Sequence, residues 1–175
     1  ATEQNEFNRS ATPSPLAAMF DPPYTTWHVG RVSGGTADNI TAKDCHFNMF
    51  YRAVPGDEPA KLDQMYSDKV SEVKSAMQGI RPESDIVLKR RFAVPPLKPE
   101  EAGESESLVR AITGDNANHV VSYGTEAGQF QAAGYSAVVC GPGDIAQAHQ
   151  PNEFIEVAQF EAGQQFMRDL LEKLK

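Results

Sequence analysis

Along residues 45–53 (CHFNMFYRA), Cys45, Phe47, Met49 and Tyr51 alternate with His46, Asn48, Phe50 and Arg52. A period of two predicts a strand with one buried face. Residues 24–32 (YTTWHVGRV) are rich in β-branched and aromatic side chains and predict another. Between them lies Ser33-Gly34-Gly35-Thr36, a turn signal because glycine reaches positive φ at low steric cost. The two strands are therefore expected to pair antiparallel. After the Pro55-Gly56-Asp57 turn, apolar residues recur at Leu62, Met65, Tyr66, Val70, Val73, Ala76 and Met77. Most of those spacings are three and four, which predicts an amphipathic helix over 58–78, with Gly79 as its stop. Residues 85–94 (DIVLKRRFAV) predict a further strand, and residues 1–23, polar and proline-punctuated, an extended lead-in.

Strand, strand, helix, strand is most of a ferredoxin-like α+β layer, lacking an opening strand and helix. Residues 95–103 (PPLKPEEAG) form the best linker in the chain. Beyond it the pattern turns α/β, with short helices over 104–113 and 126–133, strands over 117–122 and 136–140, and a terminal helical region over 152–174. The expected domains are residues 1–95 and 96–175. Two short strands cannot make a sheet covered on both faces, and the first layer leaves an apolar face bare. Both point to partner structure elsewhere. The chain opens on alanine rather than methionine, which fits a processed product, an expressed segment or a fragment alike.

Charge narrows the function. The formal net charge is −8, against nucleic acid or an anionic membrane as the main partner, because both select a basic face. The one basic cluster, Lys89-Arg90-Arg91, is expected on an exposed sheet edge. No apolar run approaches the roughly 18–20 residues that span a bilayer. Cys45 and Cys140 form no metal-binding spacing. They are expected as small core residues, and a reducing, cytoplasmic setting is inferred.

Candidate chemistry is scattered. CGPGDIAQAHQPNEF (residues 140–154) carries a strand through Gly-Pro-Gly into a loop, where ligands bind in α/β sheets. Its one histidine, His149, cannot complete a catalytic zinc site, which takes about three protein ligands. By itself it reads as a surface imidazole. Gly124–Gly128 (GTEAG) opens a helix and could bind an anion, or could be an N-terminus capped by Thr125 with Glu126 favouring the dipole. Asn39 and Arg52 could together hold a carboxylate if strand pairing brings them close. Each alone is a turn asparagine and a surface arginine. Glu100-Glu101 reads as solvated helix-start charge without catalysis. His28, His46 and His119 have no ligand spacing.

The order VGRVSGGTADNI, CHFNMFYRAVPGDEP, a proline-rich return, SYGTEAG and VVCGPGDIAQAHQPNEF resembles the M20 metallopeptidase/deacylase family. On GPG-D-I-x-QAHQP-x-E it most resembles the acetylornithine deacetylase branch. The GG-TA-x-N element is shared more widely in the family. The resemblance implies a two-metal α/β catalytic domain, with zinc or cobalt, and an inserted ferredoxin-like lid that mediates homodimerisation. This chain would hold most of the lid and the C-terminal part of the catalytic domain. The His-x-Asp ligand pair, the Glu-Glu and the other carboxylate ligands would lie in a missing N-terminal segment.

By the same resemblance His149 is the last metal ligand, and Asn39 and Arg52 hold the substrate carboxylate across the dimer. Gly124 and Thr125 hydrogen-bond the substrate, and Asp144 occupies a substrate-side loop. Glu126 could help select a cationic side chain by charge complementarity. The implied reaction removes the acetyl group from N-acetylornithine in arginine biosynthesis, and the chain alone is expected to be inactive. Rival readings are a sister activity (desuccinylase, aminoacylase or carboxypeptidase) and a non-catalytic dimerisation or binding module.

Overall fold

The structure is a computed structural model and describes residues 1–175. Its elements are α1 (Thr2–Ser10), a 3-10 turn (Pro15–Ala17), β1 (Thr26–Gly34), β2 (Cys45–Arg52), α2 (Pro59–Ile80), α3 (Glu104–Thr113), α4 (Ala127–Ala132) and α5 (Val157–Lys173). The chain is a mixed α/β chain with one two-stranded antiparallel sheet. It divides into two compact units, one of residues 1–98 with 120–124, the other of residues 99–119 with 125–175.

The first unit is built around the expected hairpin. Thr26 pairs with Arg52 at the open end and Gly34 with Cys45 at the closed end. The register slips between Val29 and Arg31, which places a bulge at Gly30. Trp27, only 5% exposed, is the centre of the core. Its ring lies 4.9 Å from that of Tyr51 and 6.2 Å from that of Tyr66 on α2, which sets the helix against the sheet. The Tyr51 hydroxyl donates to Asp63 Oδ1 at 2.9 Å. Beneath lies Thr25, whose hydroxyl donates to Asp57 Oδ2 and accepts from Val54 N–H at 3.1 Å.

The lead-in is a correction: residues 2–10 are helical. Helix α1 docks by side-chain amides against the β1 backbone. Asn5 engages Trp27, and Asn8 Nδ2 donates to Thr25 O at 2.6 Å. Apolar periodicity is too weak there to announce a helix because asparagine amides supply much of the docking. A second correction concerns residues 85–94, 117–122 and 136–140, none of which is a strand. Strand-prone sequence becomes strand only when a neighbour takes its N–H and C=O groups, and no third strand offers them. Lys89-Arg90-Arg91 therefore lies on no sheet edge, and Arg90 forms an ion pair with Asp63. Gly79 does not stop α2, which runs through it to Ile80.

Apolar coverage is partial. On the alternating face of β2, Met49 and Tyr51 are half-buried, Tyr51 at the start of α2, but Cys45 and Phe47 are exposed. Both cysteines are free and exposed, against the core placement expected of them. The chain exposes 13,621 Å². Two separate globules of half its mass would expose roughly 10,000 Å² together. The surplus is partly apolar, with Phe92 78% and Val157 71% exposed.

Candidate substrate-binding and metal-ligand residues

In the first unit, Asn39 lies in the connection beyond the Gly34–Cys45 pair, within the 37–40 turn closed by Ile40 N–H to Ala37 O at 3.3 Å. Arg52 lies at the opposite end of the same hairpin, paired with Thr26. Seven steps along β2 at about 3.4 Å each put it roughly 24 Å along the ladder from the closing pair. The strands pair as expected, yet the pairing separates Asn39 and Arg52 instead of joining them. Arg52 Nη1 instead donates to Ser122 O at 3.3 Å, two residues before Gly124. Gly124 is exposed.

In the second unit, Thr125 Oγ1 accepts from Ala127 N–H at 3.3 Å, but Glu126 and not the expected Thr125 stands at the N-cap of α4, and its side chain makes no capping bond. Glu126 is exposed, and its carbonyl accepts from Gln129 and Phe130 N–H. Asp144 closes an Asx turn, its Oδ1 accepting from Ala146 N–H at 2.8 Å. His149 has φ 58°, left-handed backbone that costs a non-glycine residue about 1–2 kcal/mol. Its N–H donates to Glu153 Oε2 at 3.1 Å, and the side chain is exposed.

Glu100 departs most from its expected role. Its carboxylate accepts from Ser136 Oγ at 2.6 Å, Gln131 Nε2 at 3.0 Å and Ala137 N–H at 3.2 Å. These bonds, Ser136 first, hold its pKa below the usual glutamate range. It is a structural staple rather than solvated charge. Ser105 N–H and Oγ bond Ser136 as well, joining α3 to the same knot. An open, apolar hollow of about 800 Å³ lies beside it, walled by Leu108, Val109, Phe130, Val139, Phe166 and Leu170. None of the candidate site residues lines it. Sequence reasoning missed Glu100, whose partners lie 31 to 37 residues away. It also missed Glu153, whose signal was its place four residues after His149.

Could these residues hold a metal? The His149 imidazole is exposed, with no protein partner on either ring nitrogen, so it fits one position at a zinc ion. No three His, Cys, Asp or Glu side chains converge anywhere in the chain. His119 is taken by Asp115 Oδ2 at 2.9 Å, and His28 stacks edge-on against Phe50. The chain thus carries a donor that fits a metal but not a complete site. No helix is long and apolar enough to cross a membrane.

Residues 19–173 match the model of peptidase family M20/M25/M40, and the chain belongs to that family. The acetylornithine deacetylase of Myxococcus xanthus is 35% identical over 140 residues, covering 79% of this chain and 35% of the relative. That of Proteus mirabilis is 31% identical over 157 residues, covering 86% and 37%. The chain spans a little over a third of the length of the curated relatives it matches.

Proposed function

We propose that this chain supplies part of the active site of a metal-dependent hydrolase that cleaves N-acyl amino acids, with N-acetylornithine as substrate. The observation that carries this reading is similarity over some four-fifths of the chain to relatives named acetylornithine deacetylase. In this reading residues 1–95 belong to a ferredoxin-like lid that mediates homodimerisation, and residues 96–175 to the catalytic domain of a cytoplasmic enzyme. The uncovered apolar surface supports placing the chain within a longer polypeptide.

Divalent metal, zinc or cobalt, would lower the pKa of a bound water and polarise the acyl carbonyl. His149 contributes one ligand to it. Arg52 and Asn39 bind the substrate carboxylate. They are separated within the hairpin, so the clamp needs either movement of the connection or the two residues acting from different copies of the lid. Gly124 and Thr125 hydrogen-bond the substrate, Asp144 lies in a loop on the substrate side, and Glu126 helps select the cationic side chain by charge complementarity. The general base lies outside this chain.

The test uses the protein carrying the complete family domain, assayed on acetyl-, succinyl- and peptide-linked amino acids. Preference for N-acetylornithine, abolished in His149→Ala, is the expected result. Equal turnover of all three classes would overturn the substrate assignment. Unchanged turnover in His149→Ala would overturn the ligand. Zinc-dependent turnover by the 175-residue chain alone, scaling with its concentration, would overturn the partial-site reading. Glu126→Gln should lower the preference for basic over neutral acyl amino acids; an unchanged preference removes that residue from the site.

A further inference from the structure

The loop around His149 holds an arrangement that the ligand assignment does not explain. His149 and Asn152 are the only non-glycine residues with positive φ, at 58° and 60°. Two left-handed residues within four positions fold the loop back sharply. The 150–153 turn is closed by Glu153 N–H to Gln150 O at 3.1 Å. The consequence is that the Glu153 carboxylate reaches the backbone of His149, where Oε2 accepts its N–H at 3.1 Å. No other group accepts that N–H.

We infer that Glu153 is the positioning residue that locks the His149 backbone in the left-handed region and so fixes the direction of its imidazole. This rests on His149 being a metal ligand. A change in φ from left-handed to right-handed swings the Cα–Cβ bond relative to the loop, and an imidazole at its end moves with it. Because His149 and Glu153 are both exposed, water can replace the lost acceptor, so removing the carboxylate costs little stability. It does remove the restraint that selects φ. Orientation and stability are therefore separable here. Outer partners of this kind typically change metal affinity about 10–100-fold.

The lock is tested on the isotope-labelled 175-residue chain by the three-bond amide–Hα coupling of residue 149, which distinguishes left-handed from right-handed backbone. The wild type and Glu153→Gln, whose amide oxygen still accepts, should keep the left-handed value, and Glu153→Ala should lose it. A left-handed value retained in Glu153→Ala overturns the inference. The consequence is tested on the protein with the complete family domain by chelator competition for zinc. Glu153→Ala should weaken binding about 10–100-fold with an unchanged Tm, and Glu153→Gln should restore it. Unchanged affinity in Glu153→Ala beside weakened binding in His149→Ala overturns the positioning role and leaves the ligand standing. Unchanged affinity in His149→Ala overturns the ligand assignment, while the coupling still decides the lock.

Discussion

The Asn5 carboxamide clasps both backbone groups of Trp27: Nδ2 donates to Trp27 O at 2.8 Å, and Oδ1 accepts from Trp27 N–H at 2.7 Å. A side chain thereby takes the place of a neighbouring strand on the outer edge of β1. Trp27 is buried, so both groups would otherwise lose hydrogen bonds away from water. Asn5→Ala should destabilise the first unit by about 1–3 kcal/mol. Asn5→Asp, which keeps the acceptor and loses the donor, should fall between. Trp27 is the only tryptophan, so its fluorescence during urea unfolding reports this unit directly. An unmoved midpoint in Asn5→Ala would show that the clasp contributes nothing.

Thr25 is 1% exposed and bonds both Asp57 and the Val54 amide. Thr25→Val keeps the shape but leaves a buried N–H without an acceptor and a carboxylate without its donor. The expected cost is about 2–4 kcal/mol. Thr25→Ser keeps the hydroxyl and should cost about 1 kcal/mol, the value of one methyl. Equal losses for the two variants in thermal unfolding would locate the effect in packing rather than hydrogen bonding.

Acid should loosen the knot around Glu100. Its folded pKa is depressed, so its contribution is fully present above the ordinary glutamate value. That contribution is lost as pH falls through the lowered folded value. Hydrogen exchange at the Ala137 amide, which donates to Glu100, should quicken as pH falls below about 4.5, after correction for the intrinsic rate. In Glu100→Gln the protection should start lower and stay flat through that window. A parallel fall in both proteins would assign the acid sensitivity to other carboxylates.

Two glycines should respond with opposite signs. A Cβ on Gly34 would sit 2.6 Å from the Asp44 carbonyl oxygen, a backbone atom that cannot swing aside. Gly34→Ala should therefore open the Gly34–Cys45 end of the hairpin, seen as faster amide exchange there. Gly79, inside α2, meets nothing within 4 Å. Gly79→Ala should raise stability by about 0.5–1 kcal/mol through helix propensity. A stabilised Gly34→Ala would contradict the close approach.

The elements legible in the sequence are those whose signal is local. Helix α2 follows the spacing from Leu62 to Met77, and the hairpin follows the alternation of 45–53 and the turn at Gly34-Gly35. Helix α3 matches its expected bounds, and Gly114, with φ 71°, closes it. Residues 85–94 and 136–140 have equally strand-like composition and form no strand, because a ladder requires a partner that composition does not specify. At the candidate site, the 140–154 motif picked out His149 and holds Glu153 four residues on, but the left-handed backbone that brings the two together was not legible. The convergence of Asn39 and Arg52 failed although the strand pairing was legible, because an antiparallel hairpin puts the connection that holds Asn39 and the end of β2 that holds Arg52 at opposite ends.

By itself, then, the sequence determined the class of the chain, its acidic surface, four of its helices, its hairpin and the family to which it belongs. Periodicity, turn chemistry and motif order act over a few residues and survive without a structure. The tertiary structure alone decided that α1 forms and caps the β1 edge through Asn5 and Asn8, and that Glu100 ties together segments more than thirty residues apart. It also decided which apolar positions are covered. Those outcomes depend on which donor meets which acceptor across the fold, and the short range of hydrogen bonds makes that a matter of position rather than composition.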